Sequence, residues 1–471
     1  MDKKFYITTT LPYVNAIPHI GFAMEVVRAD TIARYHRLLG HEVIFNTGTD
    51  EHGQKIFQKA KQMHLEPQKY CDINAKNFQD LKKILNLSFT NFIRTTDPLH
   101  INAAQEFWRL CEKNNDIYKA KYQIRYCVGC ELEKTDSELV DGHCEVHPNL
   151  SLESMDEENY FFRFSKYQKP LLDLYKARPD FIIPQFRLDE IKNFVQDGLK
   201  DFSISRVKAK MPWGIVVPGD TAQVMYVWFD ALINYISTLG WPENQKQFKQ
   251  YWPGVQIAGK DNLRQQSAMW QAMLMSAELP STRQIYIEGF ITSNGQKMSK
   301  SLGNVVDPRD LVKKYGTDAL RYFLLREIPF DSDGDFSEIR FKEIYNSDLA
   351  NGLGNLVARV AKLAEKANKP IKRRSDDLDP KISQHLEKYD FNSAIQEILR
   401  HIDAANDTIN KIKPWEKNGK EFDQCLITLV SFIDYLIPNL MPFLPETAEK
   451  IKKQFTGDKI VSGPALFPRL N

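Results

Sequence analysis

The chain has 471 residues, too long for one ordinary domain, with 42% hydrophobic residues and a net charge of only +2. That near balance excludes a protein that holds nucleic acid by bulk charge, while local basic patches are still allowed. Six cysteines are too few for a disulfide scaffold, and the opening "MDKKFYITTT" lacks the apolar stretch of a secretory signal, so the expected location is the cytoplasm.

In chain order, "KKFYITTT" is β-rich and stops at Leu11-Pro12. "HIGFAMEVVRADTIARYHRLLG" carries apolar residues at helical spacing and ends at Gly40. "HEVIFNTGT" predicts a second strand and "QKIFQKAKQMH" a second helix, an alternation that predicts a parallel α/β sheet. Near residue 116 the pattern breaks. "YQIRYCVGCELEKTDSELVDGHCEVHPN" predicts short strands and tight turns. Strand and helix signals resume at "QVMYVWFDALINYISTLG", "GVQIAGKDNLRQQSAMWQAMLMSAE" and "QIYIEGFITSNGQ". From about residue 340 the chain turns helical, and "CLITLVSFIDYLIPNLMPFLP" predicts a buried helix and its end, because Asp434, Pro438 and Pro442 rule out a membrane span. The expected layout is a Rossmann-like sheet domain over 1–115 and 222–325, split by an insertion over 116–221. A linking segment over 326–350 and a helical bundle over 351–471 follow.

Three groups of residues carry chemistry. In "PHIGFA", His19 to Phe22 open the first predicted helix, where backbone N–H groups and the helix dipole favour an anion. Gly21 lets a nucleotide approach the backbone, and His19 can donate to a phosphate oxygen. In "GQKMSKSLGN", Lys297 and Lys300 bracket a Ser-rich turn that includes Ser299, between Gly295 and Gly303, and can place two ammonium groups on a triphosphate. Cys127-x2-Cys130, thirteen residues, then Cys144-x2-His147 has the paired spacing of a tetrahedral zinc knuckle, with His143 as a competing ligand.

"HIG" followed far downstream by "KMSKS" resembles the class I aminoacyl-tRNA synthetases. "LPYVNAIPHIG", "NTGTDEHG", "VWFDALINY", "GKDN" and "GFITSNGQKMSKSLGN" are similar in order to methionyl-tRNA synthetases of the single-zinc-knuckle type. The resemblance implies methionine activation with ATP and Mg²⁺, transfer to tRNA(Met), one structural Zn²⁺, no membrane partner and a monomer. It implies a methionine site at Leu11, Tyr13, Asp50, Trp228, Ala231, Tyr235 and Gln266, with Asp261 on the ribose and Glu25 and Arg206 at polar positions. It implies anticodon readers at Asn355, Arg359 and Trp415; a buried Trp415 behind Pro414 is the competing reading.

Two positions depart from the family. Phe22 stands where a second histidine is expected, and Gln266 stands where a pocket histidine is expected. The residues also admit another class I synthetase, although the insertion has little room for a full editing domain. A catalytically weak tRNA-binding homologue is the other rival, motivated by Phe22 and Gln266.

Overall fold

The computed structural model describes residues 3–129, 132–133, 139–298, 303–367, 377–456 and 459–471. A six-stranded parallel sheet forms the first layer. Its order is Asn91–Arg94, Glu42–Thr49, Lys4–Thr9, Val255–Gly259, Gln284–Glu288 and Ile182–Ile183. All five pairings are parallel. Side chains alternate across it as a pleated strand requires. Phe5 and Ile7 join the core on one face, and Tyr6 joins the core on the other. Tyr286 does the opposite of its neighbours Ile285 and Ile287 for the same reason.

The strand order reverses between Lys4–Thr9 and Val255–Gly259. In open parallel sheets a crevice forms outside the carboxyl ends of the strands at such a point. Residues 10–13 and 260–262 therefore face one another across it.

The insertion is built on a long antiparallel hairpin, Ile117–Cys127 against Glu153–Phe162. The short strands expected in the knuckle are present at Leu132–Glu133, Leu139–Val140 and His143–Cys144, but along the chain they lie between the strands of this longer pair, whose register runs from Ile117↔Phe162 to Tyr126↔Glu153 without a break. The helices Gln168–Ala177 and Gln185–Gln196 follow, and Ile182–Ile183 between them adds an edge to the main sheet.

After the last strand, Gly334–Phe336, the described chain is helical from Glu338, as expected, and two helices, Pro308–Tyr315 and Thr317–Arg326, precede that strand. Pro308 itself sits in the first turn of its helix, where a missing N–H costs nothing, and Asp307 caps it. The later helices include Asn355–Ala367, Phe391–Ile412 and Gly419–Leu440. The last ends at Leu440, inside the stretch where a buried helix and its end are expected, with Pro438 in its final turn. One hydrophobic core runs from Ile7 and Val27 through Leu324 to Ile398 and Leu436, so sheet and bundle are welded rather than tethered. Among the described residues, no helix is long and apolar enough to cross a membrane.

Candidate active site

The first helix, Ile20–Leu38, starts at the switch point. His19 is its N-cap, and its Nδ1 accepts the Gly21 N–H at 3.0 Å. That bond leaves the ring proton on Nε2, as an outward donor. Although His19 is exposed, partial desolvation by the neighbouring protein holds its pKa below the ordinary value, which favours the neutral form. A Cβ at Gly21 would lie 2.9 Å from the His19 ring, which is why a glycine follows it. Two of the leading N–H groups are already spent: Gly21 on His19, and Ile20 on the Val306 carbonyl at 3.0 Å. The helix end is thus a smaller donor array than expected, and the His19 Nε2–H carries more of the burden.

Val306 lies just beyond the lysine-rich turn, so this bond ties the two nucleotide motifs together. Lys297 is exposed and lies close enough to Asp261 to oppose the rise in that carboxyl's pKa caused by burial. Ser299 and Lys300 lie outside the described residues. Asp261 faces the crevice one turn after the Val255–Gly259 strand. Glu25 accepts from Thr10 N–H at 2.7 Å and from the Thr10 hydroxyl at 2.6 Å. Burial, then the Glu288 charge, raises its pKa well above the carboxylate range. Glu288 is pushed up to about 7 by burial, against the pull of Arg28. Phe22 lies in the first turn of the helix that His19 caps. It is half-buried and meets Phe78 edge-on, with ring centroids 5.5 Å apart.

Beside the crevice is an aromatic pocket. Tyr13 and Asp50 form an isolated parallel bridge, which joins the two backbone segments. Tyr13 and Trp228 pack on Tyr226 and Val227. Tyr235 lies near enough to Asp50 to feel its charge, and its hydroxyl accepts from Gln266 Nε2. Leu11 is half-buried at the strand's end, and Ala231 is buried. Trp228 Nε1 and Gln266 Oε1 are buried without hydrogen-bond partners among the described residues, as expected of polar atoms kept for a ligand. Arg206 donates to Ser203 Oγ and the Ser205 carbonyl, and lies over the Tyr226 ring at 4.3 Å.

The supports of this pocket had no legible motif. Arg94 grips Glu51 at 2.7 and 2.8 Å, and Thr49 and Thr96 donate to the same carboxylate at 2.6 Å. Asp230 accepts from His52 at 2.7 Å and His100 at 2.8 Å. Burial alone would raise the Asp230 pKa, but the two imidazoles outweigh it and lower it. Only the adjacency of charged letters to Asp50 and Trp228 could have hinted at these braces.

Cys127, Cys144 and His147 bring their ligand atoms within 4.8 Å of one another. Two buried thiols and an imidazole suit zinc. Cys130 lies outside the described residues, and His143 is not in the group. A Cβ at Gly129 would meet the His147 ring at 2.5 Å, so glycine is required there. Lys55 Nζ donates to the Gly129 carbonyl at 3.2 Å, and Val128 packs with Tyr13 and Trp228.

In the helical half, Arg359 reaches Asn410 at 2.8 Å and Asn406 at 3.4 Å. Together with Lys362, Leu363, Lys366, Ile409 and Trp415 it lines a cleft of about 540 Å³. Trp415 is 51% exposed, which removes the core reading. Asn355 is exposed one turn before Arg359 but is not a wall of the cleft.

The family model described as tRNA synthetases class I (M) matches residues 5–151 and 133–361. The model of the anticodon-binding domain of tRNA ligase matches 368–469. The chain belongs to the class I methionyl-tRNA synthetase family. It is 43% identical to a methionine–tRNA ligase of Synechocystis sp. over 96% of this chain and 90% of that protein. It is 40% identical to the corresponding ligase of Thermotoga maritima over 95% of this chain and 74% of that one. The fold matches a Mycobacterium tuberculosis methionyl-tRNA synthetase in complex with methionyl-adenylate with a TM-score of 0.90, at 36% identity over 99% and 98% of the two chains. Within this synthetase family the Phe22 and Gln266 departures are now set in geometry: Phe22 packs and Gln266 hydrogen-bonds.

Proposed function

We propose that this protein is a methionine–tRNA ligase that forms methionyl-adenylate from methionine and ATP and passes the methionyl group to the terminal ribose of tRNA(Met). What supports the proposal is His19 capping the first helix, Asp261 within reach of the Lys297 charge after the neighbouring strand, and Asp50 within reach of Tyr235. Asp50 pairs with the methionine ammonium. Leu11, Tyr13, Trp228, Ala231 and Tyr235 surround the polarizable thioether, with Gln266 closing the polar end. The α-carboxylate, with a pKa of about 3.5, is already ionised and attacks the α-phosphorus without a general base. The obstacle is charge repulsion. The His19 Nε2–H, Lys297 and Lys300 offset it as pyrophosphate leaves, with Gly21 and Ser299 against the phosphates and Asp261 on the ribose. The ribose hydroxyl of tRNA then attacks the activated carbonyl and AMP departs.

Mg²⁺ entering with ATP, a single Zn²⁺ held by Cys127, Cys130, Cys144 and His147, and a monomer in the cytoplasm complete the proposal. They are supported by the sequence resemblance, and for zinc also by the three converging ligands. When bound, zinc holds the two turns of the knuckle closed. Arg359, Asn355 and Trp415 are the proposed readers of the anticodon, with Lys362 and Lys366 drawn to its phosphates.

The test is ATP–pyrophosphate exchange with each amino acid in turn. Exchange with methionine alone is expected. Exchange driven by leucine, isoleucine, valine or cysteine would move the protein to another class I specificity. tRNA binding with no exchange at all would make it a non-catalytic homologue.

A further inference from the structure

Gln266 lies in a five-residue π-turn, Gln265–Met269, at the head of the helix Trp270–Ser276. The Trp270 N–H reaches back five residues to the Gln265 carbonyl instead of four. A five-residue step inside a four-residue ladder passes over one carbonyl, and buried carbonyls need partners. Gln271, wholly buried, supplies one: its Nε2 donates to the Gln266 carbonyl at 2.9 Å. The Gln271 amide is itself held at both ends, donating to Thr282 Oγ1 at 2.9 Å and accepting from the Thr282 N–H at 3.1 Å. Tyr175, on the insertion helix Gln168–Ala177, donates its hydroxyl to the next carbonyl, Ser267, at 2.6 Å. Both bonds go to backbone carbonyls of the turn, not to the Gln266 side chain.

We propose that Gln271 and Tyr175 are positioning residues that hold the π-turn wound by five, and so aim the Gln266 amide at the methionine side chain. An ordinary α-turn advances about 100° per residue, so rewinding the turn by one residue swings Gln266 off the Tyr235 hydroxyl and out of the pocket. The inference rests on the proposed methionine site. It adds that the specificity of that site depends on two residues that do not touch the substrate.

The experiment is a double-mutant cycle in methionine-dependent ATP–pyrophosphate exchange on the whole chain, with Gln271→Met, Gln266→Ala, the pair together, and Tyr175→Phe. The expected result is a methionine KM raised at least fivefold in Gln271→Met and severalfold in Tyr175→Phe, with the ATP KM within twofold of the parent. In the Gln266→Ala background, Gln271→Met should add less than twofold, because the side chain it aims is gone. A full further fivefold there would overturn the inference, since Gln271 would then act by general stability. If Gln271→Met fails to fold, Gln271→Glu serves instead. It keeps the acceptor for Thr282 N–H, loses the donor to Gln266, and should reproduce the rise in methionine KM. A raised KM in Gln266→Ala with an unchanged one in every folded Gln271 variant overturns the inference alone. An unchanged KM in Gln266→Ala overturns the methionine site and the inference with it.

Discussion

Phe22 shows how one side chain can trade chemistry for packing. In the family pattern its place holds a second phosphate donor. Here its ring fills the space beside Phe78, between the main core and the small cluster around Val14 and Ile56. Aromatic pairs of this kind are worth about 0.5–1.5 kcal/mol beyond burial. A donor at a developing charge can be worth about 2.7–4 kcal/mol. The two magnitudes predict opposite effects of Phe22→His: roughly a hundredfold faster methionine-dependent exchange and a stability lower by about 1 kcal/mol in a urea melt. A slower exchange in a variant with unchanged melting would show that His19 and the lysines already saturate the need. "HIGF" displays the missing histidine to any reader, but nothing in those four letters says that Phe78 is waiting for the ring, because that partner is distant in sequence and comes from another helix.

At the scale of elements, the carboxyl ends of two neighbouring strands carry a buried carboxylate problem. Glu288 has its folded pKa raised to about 7 from an ordinary 4.5, so the folded state holds a proton that the unfolded chain releases. Its stabilising share is complete below about pH 4.5 and is lost as pH rises through about 7. Urea melts across that window should show stability falling with pH, and Glu288→Gln should flatten the slope. An equal slope in the variant would assign the effect to Glu25 or elsewhere. The knuckle acts on a neighbouring element. Lys55 holds the Gly129 carbonyl, and Val128 packs with Tyr13 and Trp228. Chelating the metal should therefore raise the methionine KM severalfold and lower the melting temperature while leaving the ATP KM near its starting value. A loss confined to ATP binding would contradict this route.

At the scale of the whole molecule, the first helix joins the two halves. Arg321 pairs with Asp30 at 2.8 Å, both side chains fully buried, and donates to the carbonyls of Pro442 and Phe443. Arg28 holds the Ile328 and Pro329 carbonyls and Glu288. Breaking a buried pair from one side costs about 3–5 kcal/mol, which is the loss expected for Arg321→Met in denaturant unfolding. A loss below about 1 kcal/mol would mean that Asp30 finds full compensation from Arg34 and Ser88. The helical half has a separable job. Trp415→Ala removes an exposed stacking surface worth about 1–3 kcal/mol per base. It should cut tRNA charging roughly 5- to 150-fold while leaving methionine-dependent exchange within about twofold. Equal losses in both assays would place Trp415 in the fold rather than at the anticodon.

The division of labour between chain and fold follows from the reach of each signal. Strand–helix alternation, the "HIG" and "KMSKS" words and the Cys-x2-Cys and Cys-x2-His pairs are local. Periods of two and 3.6 residues, or ligand spacing, set them, so they are legible in the chain itself. The class of the fold and the family followed from them. The long hairpin of the insertion was not legible, because its pairing joins residues from about 27 to about 45 apart across the knuckle. Nor were the grip of Arg94 on Glu51, the Asp230 brace and the π-turn under Gln266. Each depends on which buried polar group faces which, and that is decided only when distant segments pack and every donor must find an acceptor. The sequence by itself determined the class of fold and the family, because those signals are local; the tertiary structure alone decided which buried polar groups face one another around the candidate site.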